Sequence, residues 1–110
     1  MVLKSIVLKG IGRTNTDERE YDKETVPAME KWVVREVRIY TSRTADAVEN
    51  YLYKGTMRIF EYNSHVGARV THPYPADLEL EAGSELRLTG TTDGISTTSV
   101  IEVIIEVTAV

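Results

Sequence analysis

Residues 24–40, ETVPAMEKWVVREVRIY, contain a proline followed by a long run of residues that favour β-strands. Pro27 has no backbone N–H to donate, so it is expected at the mouth of a strand or on a sheet edge. The apolar residues that follow it occupy both odd and even positions. Val33, Val37 and Ile39 are odd-numbered, and Val34 and Tyr40 are even-numbered. Because side chains alternate between the two faces of a strand, this pattern predicts a central strand that carries Trp32 into the core.

The rest of the chain repeats this β-rich composition. Segments rich in Val, Ile, Leu, Tyr and Thr alternate with turn residues and predict short strands. These strands are expected at about residues 2–9, 19–25, 31–42, 48–54, 56–62, 66–71, 77–81, 85–90 and 99–109. One segment, TADAVENYLYKG, has a helical alternative, because Ala45, Val48 and Leu52 would share one helix face. Residues 71–78, THPYPADL, contain two prolines and predict a surface loop.

The closing segment has the clearest strand pattern. Its apolar residues alternate with mostly polar ones: Ile101, Val103, Ile105, Val107 and Ala109 against Glu102, Ile104, Glu106 and Thr108. This period of two predicts a half-buried strand. The preceding LELEAGSELRL predicts a hairpin in which Gly83 supplies a positive φ. The expected buried core is Trp32, Val37, Ile39, Leu86, Leu88, Ile101, Val103, Ile105 and Val107.

Together these strands predict an all-β fold. Many short antiparallel strands in 110 residues usually close into a two-layer sandwich or a barrel. We predict an antiparallel β-sandwich, jelly-roll-like, in which residues 1–110 form one domain. Within it, residues 13–25 are predicted to form an extended arm, since TDEREYDKET carries seven charged positions in ten. This segment is either a solvated strand or an arm that becomes ordered against a neighbour.

Composition limits the classes of partner. The net charge of −4 is spread along the chain without a basic block, so we expect no nucleic-acid partner. No apolar run reaches the ~20 residues of a membrane span, and the N-terminus lacks a signal-peptide pattern, so we expect a cytoplasmic origin and no membrane partner. With no cysteine, the chain has neither a disulfide framework nor a thiolate site.

Titratable residues show no convergent pattern. His65 and His72, with Glu61 or Asp77, offer a metal-site alternative, but two exposed loop histidines are the simpler interpretation. Acidic residues are paired on strand faces in two places: Glu79 with Glu81, and Glu102 with Glu106. Such pairs suit glycosidase chemistry only across a cleft, and they more often form the solvated face of a sheet. We therefore expect no catalytic residue, no metal, no cofactor and no enzymatic activity.

An aromatic hairpin is the best candidate for a binding surface. A two-residue turn at Lys54 and Gly55 is expected to place Tyr51 opposite Arg58. One face would then carry Val48, Leu52, Met57 and Ile59, and the other Tyr51, Tyr53, Arg58, Phe60 and Tyr62. Tyrosine and arginine are enriched in protein interfaces. The predicted partner-binding residues are Tyr51, Tyr53, Arg58 and Tyr62, with Asp17, Glu18, Arg19 and Tyr21 of the charged segment. The alternative is that Phe60 and some tyrosines belong to the core.

The order of these motifs resembles that of the small jelly-roll proteins of phage and archaeal virus virions. The motifs are TVPAMEKWVVREVRIYTS, then YLYKGTMRIF, then DLELEAGSELRLTGTTDG, then SVIEVIIEV, and the resemblance covers residues 24–107. One departure is that Ala28, Met29 and Glu30 stand where a glycine turn is usual.

The resemblance implies a structural virion protein of the capsid-decoration or fibre type. It further implies a homo-oligomer, with a trimer favoured, that contacts other virion proteins such as the major capsid protein and is assembled in the host cytoplasm. Two other classes stay open. A carbohydrate- or receptor-binding β-sandwich would use the same aromatic face, and a small cupin-like metalloenzyme would need the histidines.

Overall fold

The computed structural model describes residues 2–13, 16–64 and 67–110, and the side chains of these residues except 72–77. The described residues form eight strands: β1 (Val2–Gly12), β2 (Arg19–Thr25), β3 (Glu30–Thr41), β4 (Glu49–Lys54), β5 (Met57–Asn63), β6 (Arg69–Leu80), β7 (Glu85–Thr91) and β8 (Thr97–Ala109). The helical alternative for TADAVENYLYKG is wrong, because most of its second half forms β4. None of the segments described is a helix long and apolar enough to span a membrane.

The strands form two four-stranded antiparallel sheets. The first sheet has the order β1-β8-β3-β6 and the second the order β2-β7-β4-β5. The two sheets pack face to face, and successive strands cross from one sheet to the other except β4 and β5, which are neighbours in the second sheet; this is the order of an eight-stranded jelly roll. The predicted antiparallel, jelly-roll-like β-sandwich is therefore confirmed.

A β-bulge changes which face of β3 is buried. Val34 pairs with Ile105 of β8 and Glu36 pairs with the next residue, Ile104, so Arg35 is the extra residue on β3. Trp32 and Val34 are buried before the bulge, and Val37 and Ile39 are buried after it. The prediction that Val33 shares a face with Val37 is wrong, because one extra residue reverses the alternation.

The core lies between the sheets and agrees with the sequence-based expectation. All of the predicted core residues are buried except Val107, which is partly buried near the end of β8. Among the side chains that the structure describes, the other buried apolar residues are Ile6, Leu8, Val26, Val34, Val48, Leu52, Tyr62 and Leu80. The alternation of buried residues along β8 matches the predicted period of two.

Strand β6 replaces the loop expected for THPYPADL. Its backbone is a strand throughout and pairs with β3 at the edge of the first sheet. Between the pairs Val34–Leu78 and Glu36–Pro73, one residue of β3 faces residues 74–77 of β6, so the strand is strongly irregular there. An edge position explains how this strand accepts prolines, since no further strand needs their missing N–H groups.

The turn before β3 contains a residue in the left-handed region. Met29 has a φ of 68°, which is uncommon for a residue other than glycine. The Glu30 N–H donates to the Pro27 carbonyl at 3.3 Å, and the Val110 N–H donates to the Met29 carbonyl at 3.0 Å. Met29 thus makes the turn that the resemblance would assign to glycine. The hairpin predicted for LELEAGSELRL is wrong, because β6 lies in the first sheet and β7 in the second, although Gly83 between them has the expected positive φ of 86°.

Candidate functional site on the second sheet

The β4–β5 hairpin closes one residue later than predicted. Lys54 pairs with Met57, so Gly55, with a φ of 60°, and Thr56 form the turn. A bulge follows at once, because Leu52 pairs with Phe60 while Tyr53 pairs with Arg58. The predicted turn at Lys54 and Gly55 is therefore wrong, and so is the pairing of Tyr51 with Arg58.

This register places two of the aromatic residues between the sheets. Phe60 packs against the core, and Tyr62 is buried, with its hydroxyl donating to the Gly67 carbonyl. Burial raises the pKa of Tyr62. Met57, which was expected in the core, is 52% exposed. Tyr62 is thus absent from the outer face, and the alternative that some aromatics are core residues is correct for this pair.

Tyr51, Tyr53 and Arg58 do lie together on the outer face of the second sheet. The Arg58 guanidinium carbon lies 3.9 Å from the centre of the Tyr51 ring and 5.5 Å from that of Tyr53. Arg58 also donates from Nε and Nη2 to the Tyr53 hydroxyl, at 3.1 and 2.9 Å. Such cation–π contacts orient arginine over an aromatic ring. The side chain of Arg58 nevertheless stays 41% exposed, so its guanidinium is both held and accessible.

Arg87 of β7 extends this cluster towards β2. Its Nε donates to Glu20 Oε1 at 2.6 Å, its Nη1 donates to the Gly55 carbonyl at 2.6 Å, and its guanidinium lies 5.3 Å from the Tyr53 ring centre. We call the outer surface formed by Glu18, Glu20, Tyr51, Tyr53, Arg58 and Arg87 the tyrosine–arginine face. Its residues come from β2, β4, β5 and β7 and from the segment just before β2.

Glu18 joins the start of β2 to the opposite edge of the sheet. Its Oε1 accepts a hydrogen bond from Arg58 Nη2 at 2.8 Å, and its Oε2 accepts one from the Thr89 hydroxyl at 2.7 Å. Burial by itself would raise the pKa of Glu18, but hydrogen bonds from Thr89 and Tyr53 and the charge of Arg58 outweigh it, so the pKa is lowered. The ionised form is the one that the folded protein favours.

Acidification should therefore weaken the fold through Glu18. Because its folded-state pKa lies below the ordinary value of 4.5, its stabilising contribution is complete above that pH and is lost as the pH falls through the folded-state pKa. We expect Glu18→Gln to reduce the difference in Tm between pH 7 and pH 3. Glu81→Gln, at a carboxylate 68% exposed and 4.0 Å from Lys54, is the matched control and should retain the full difference. Equal differences in both variants would contradict this assignment.

Tyr51 is held from the other side by Glu49, whose carboxylate accepts a hydrogen bond from the Tyr51 hydroxyl group. Burial raises the pKa of Tyr51, and the bond to Glu49 and the charge of Glu49 raise it further. The ring is therefore fixed at its hydroxyl by Glu49 and covered on one side by Arg58. This arrangement leaves Tyr51 neutral and rigid at physiological pH.

The remaining predicted residues lie elsewhere. Asp17 and Arg19 are exposed, and the described contacts of the tyrosine–arginine face do not include them. Tyr21 packs against the core beside Gly10 and Gly90. From Arg19 onwards, the segment predicted as an arm is strand β2, which pairs with β7. Gly90 in a predicted strand and Gly10 just after another were the signal for this partly buried ring, because glycine in a strand often marks a close approach.

Sequence patterns did not indicate the roles of Arg87, Glu20 and Glu49. Arg87 and Glu20 occupy alternating polar positions in strands that pair only in the folded protein. In the sequence these two residues resemble ordinary solvated charges, and only the register of β2 against β7 brings them into contact. The sequence offered one signal: in ELRL the polar residues alternate with leucines, and this alternation placed Arg87 on an outer face.

The alternatives that involve titratable groups receive no further support. His65 and the side chains of His72 and Asp77 lie outside the described residues. Among the side chains that are described, no group of three or more His, Asp or Glu could hold a metal ion. The paired carboxylates all take part in ion pairs: Glu79 with Lys31, Glu81 with Lys54, Glu102 with Arg38, and Glu106 with Arg35. The hydrogen bond from Arg35 holds the pKa of Glu106 below its ordinary value.

Comparisons with known proteins add a similarity of structure alone. No protein-family model matches the chain, and no curated protein matches its sequence. The crystal structure of Aeromonas hydrophila PliG, a periplasmic lysozyme inhibitor of g-type lysozyme, matches with a TM-score of 0.47 and 13% identity. The match covers 93% of this chain and 86% of that chain. A similarity at this level carries no argument about function.

Proposed function

We propose that this chain is a structural virion protein, of the capsid-decoration or fibre type, that binds a protein lattice through its tyrosine–arginine face. The proposal combines the resemblance of residues 24–107 to small virion jelly rolls with the strand order of the sandwich. Following that resemblance, the protein would act within the virion, after assembly in the host cytoplasm, as a homo-oligomer in contact with the major capsid protein. It would work by adhesion, without catalytic turnover or a cofactor.

The observation that carries the adhesive role is the fixed position of Arg58. Five groups contact its guanidinium: the ring and hydroxyl of Tyr53, the ring of Tyr51, and the carboxylates of Glu18 and Glu61. Ordering a long side chain at an interface costs about 0.5–1.5 kcal/mol. Because Arg58 is ordered before any partner arrives, much of this cost is already met within the folded protein. Tyrosine and arginine anchors of this kind dominate many protein interfaces.

The same geometry supports protein adhesion over sugar binding. A sugar usually stacks on the open face of an aromatic ring, but here Arg58 covers one face of Tyr51 at 3.9 Å. Tyr53 is flanked by the guanidinium groups of both Arg58 and Arg87, at 5.5 and 5.3 Å. The exposed chemistry is therefore that of guanidinium and carboxylate groups. A partner with complementary charged and polar groups fits this surface better than a glycan does.

Removal of the two central side chains should abolish attachment without unfolding the protein. We expect Tyr51→Ala combined with Arg58→Ala to reduce occupancy on purified particles that lack this chain by at least about tenfold, since two interface anchors are lost. Occupancy would be measured by quantitative mass spectrometry after incubation with the purified variant. Circular dichroism should show an unchanged fold.

The matched control is the tyrosine and arginine pair on the outer face of the first sheet. Tyr40 is 36% exposed and the side chain of Arg38 is 53% exposed, so Tyr40→Ala with Arg38→Ala removes the same chemistry from the other sheet. This control should bind particles as the wild type does. If the control loses occupancy and the test variant does not, the adhesive face is the first sheet. Specific binding on a glycan array that requires Tyr51 would instead support the carbohydrate-binding alternative.

A further inference from the structure

Strand β1 is an open edge of the first sheet, and its hydrogen-bonding direction is defined. The strand pairs with β8 on one side. The Lys9 N–H points away from β8, because it donates to Asp22 Oδ2 of β2 at 3.1 Å. Backbone groups alternate in direction along a strand, so the odd-numbered residues of β1 direct N–H and C=O groups to the open side. In the described structure, Leu3, Ser5 and Val7 have no hydrogen-bond partner on that side.

The open part of this edge has fewer of the features that protect the others, since Lys4 is its one charged residue. Edge strand β6 contains prolines, β2 is highly charged, and β5 carries Arg58 and Glu61. The open part of β1, by contrast, has exposed apolar side chains at Leu3 and Val7, which are 65% and 56% exposed. Asp22 closes the edge at Lys9, so the open part ends at Val7. An open, apolar strand edge is a template for pairing with another strand.

A second copy of the same strand fits this edge in one register. In an antiparallel pair centred on Ser5, Leu3 lies opposite Val7 of the second copy and Ser5 lies opposite Ser5. By symmetry Val7 lies opposite Leu3 of the second copy, which makes three facing pairs. Each pair consists of residues whose N–H and C=O groups point to the open side, so each pair can exchange both hydrogen bonds. The apolar side chains then meet across the junction on one face, where such cross-strand pairs stabilise a sheet. A register shifted towards Lys9 would form fewer intermolecular hydrogen bonds, because the Lys9 N–H already donates to Asp22.

We propose that β1 pairs with β1 of a second copy, antiparallel and across a two-fold axis at Ser5. The two first sheets then form one continuous sheet with four strands from each copy. The tyrosine–arginine face lies on the other sheet and stays free, so this contact is independent of the proposed attachment to a lattice. It is a two-fold contact and differs from the trimer that the resemblance implies.

The contact is small, so it forms a reversible dimer in solution. Five residues of strand from each copy bury less than the roughly 1,200–2,000 Å² of a standard stable interface. On a particle, neighbouring copies would be held at high effective concentration, and the same contact would link them. Sedimentation velocity of the wild type should therefore show a monomer–dimer equilibrium that shifts to dimer as concentration rises.

A proline at the two-fold axis tests the contact. Ser5→Pro removes an N–H that points away from β8, so the bonds within the sheet remain while the central intermolecular bonds are lost. We expect this variant to sediment as a monomer, whereas Ser5→Ala, which keeps the N–H, should dimerise as the wild type does. A wild type that stays monomeric or forms a trimer, or a Ser5→Pro variant that dimerises normally, would overturn the proposal.

A disulfide provides a second test that does not depend on proline being tolerated. The chain has no cysteine, so Ser5→Cys introduces a single thiol. Residues facing each other in a hydrogen-bonded antiparallel pair have Cα atoms about 5.5 Å apart, within the range for a disulfide. Mild oxidation should link Ser5→Cys into dimers much faster than Lys9→Cys, whose side chains would lie far apart. Equal cross-linking of the two variants would exclude this register.

Discussion

Replacement of Trp32 by alanine is expected to lower the free energy of unfolding by about 3–5 kcal/mol. The side chain is 1% exposed and is the largest in the core. It lies on β3 between Leu80 of β6 and Val107 of β8, so its loss leaves a cavity where three strands meet. A domain of this size is typically stable by only about 5–15 kcal/mol, so this variant should be close to unfolding at physiological temperature.

Urea denaturation followed by circular dichroism measures this effect, since the chain has no other tryptophan for fluorescence. Trp32→Phe is the control, because it keeps most of the buried volume but loses the bond from Nε1 to Glu30 Oε1 at 3.0 Å. It should cost clearly less than the alanine variant. A loss below about 1 kcal/mol for Trp32→Ala would mean that the tryptophan is not a central part of the core.

The second large effect is expected at Gly90, where even one methyl group does not fit. A Cβ at this position would lie 2.7 Å from the Glu49 carbonyl oxygen and 2.6 Å from Cε2 of Tyr21. The carbonyl belongs to the neighbouring strand β4, so relief of this contact requires the paired strands to move apart. Overpacking of this kind typically costs about 1–3 kcal/mol, and we expect Gly90→Ala to lie at the upper end.

Gly67→Ala is the matched control for this prediction. There the added methyl would meet its nearest atom, the Tyr62 hydroxyl oxygen, at an ordinary 3.7 Å. Thermal unfolding should show a much smaller change in Tm for Gly67→Ala than for Gly90→Ala. In a protein that already carries Tyr21→Ala, Gly90→Ala should still cause part of this loss, because the backbone contact with Glu49 persists. No further loss in that background would place the conflict in the tyrosine ring alone.

The closing strand illustrates what a local pattern can predict. In β8 the alternation from Ile101 to Ile105 continues without interruption, so its buried face follows directly from the sequence. In β3 the same reasoning fails after Val34, because the bulge at Arg35 moves the buried positions by one residue. The two strands have similar local composition. The bulge depends on how β3 pairs with the strands on both of its sides, and the sequence of β3 alone does not indicate that pairing.

The predicted register of the aromatic β4–β5 hairpin was wrong for a related reason. Its position and the outward orientation of Tyr51, Tyr53 and Arg58 were predicted, but the turn is one residue later and a bulge follows. A shift by one residue sends side chains to the opposite face, so Tyr62 became a core residue. Turn geometry set this register, and several turns were compatible with the residues around Gly55.

The sequence by itself determined the fold class, since period-two strands separated by turn residues can bury their apolar faces only between sheets. It also determined which residues supply the core, because Trp32, Leu88 and Val103 have no other favourable environment. Only the tertiary structure decided the order of the strands and the composition of the candidate site. Glu18 and Arg58 lie 40 positions apart, and Glu20 and Arg87 lie 67 apart. Glu20 meets Arg87 because β2 pairs with β7, and Glu18 reaches Arg58 because β2 and β5 belong to one four-stranded sheet. A local pattern carries no information about such distant pairings.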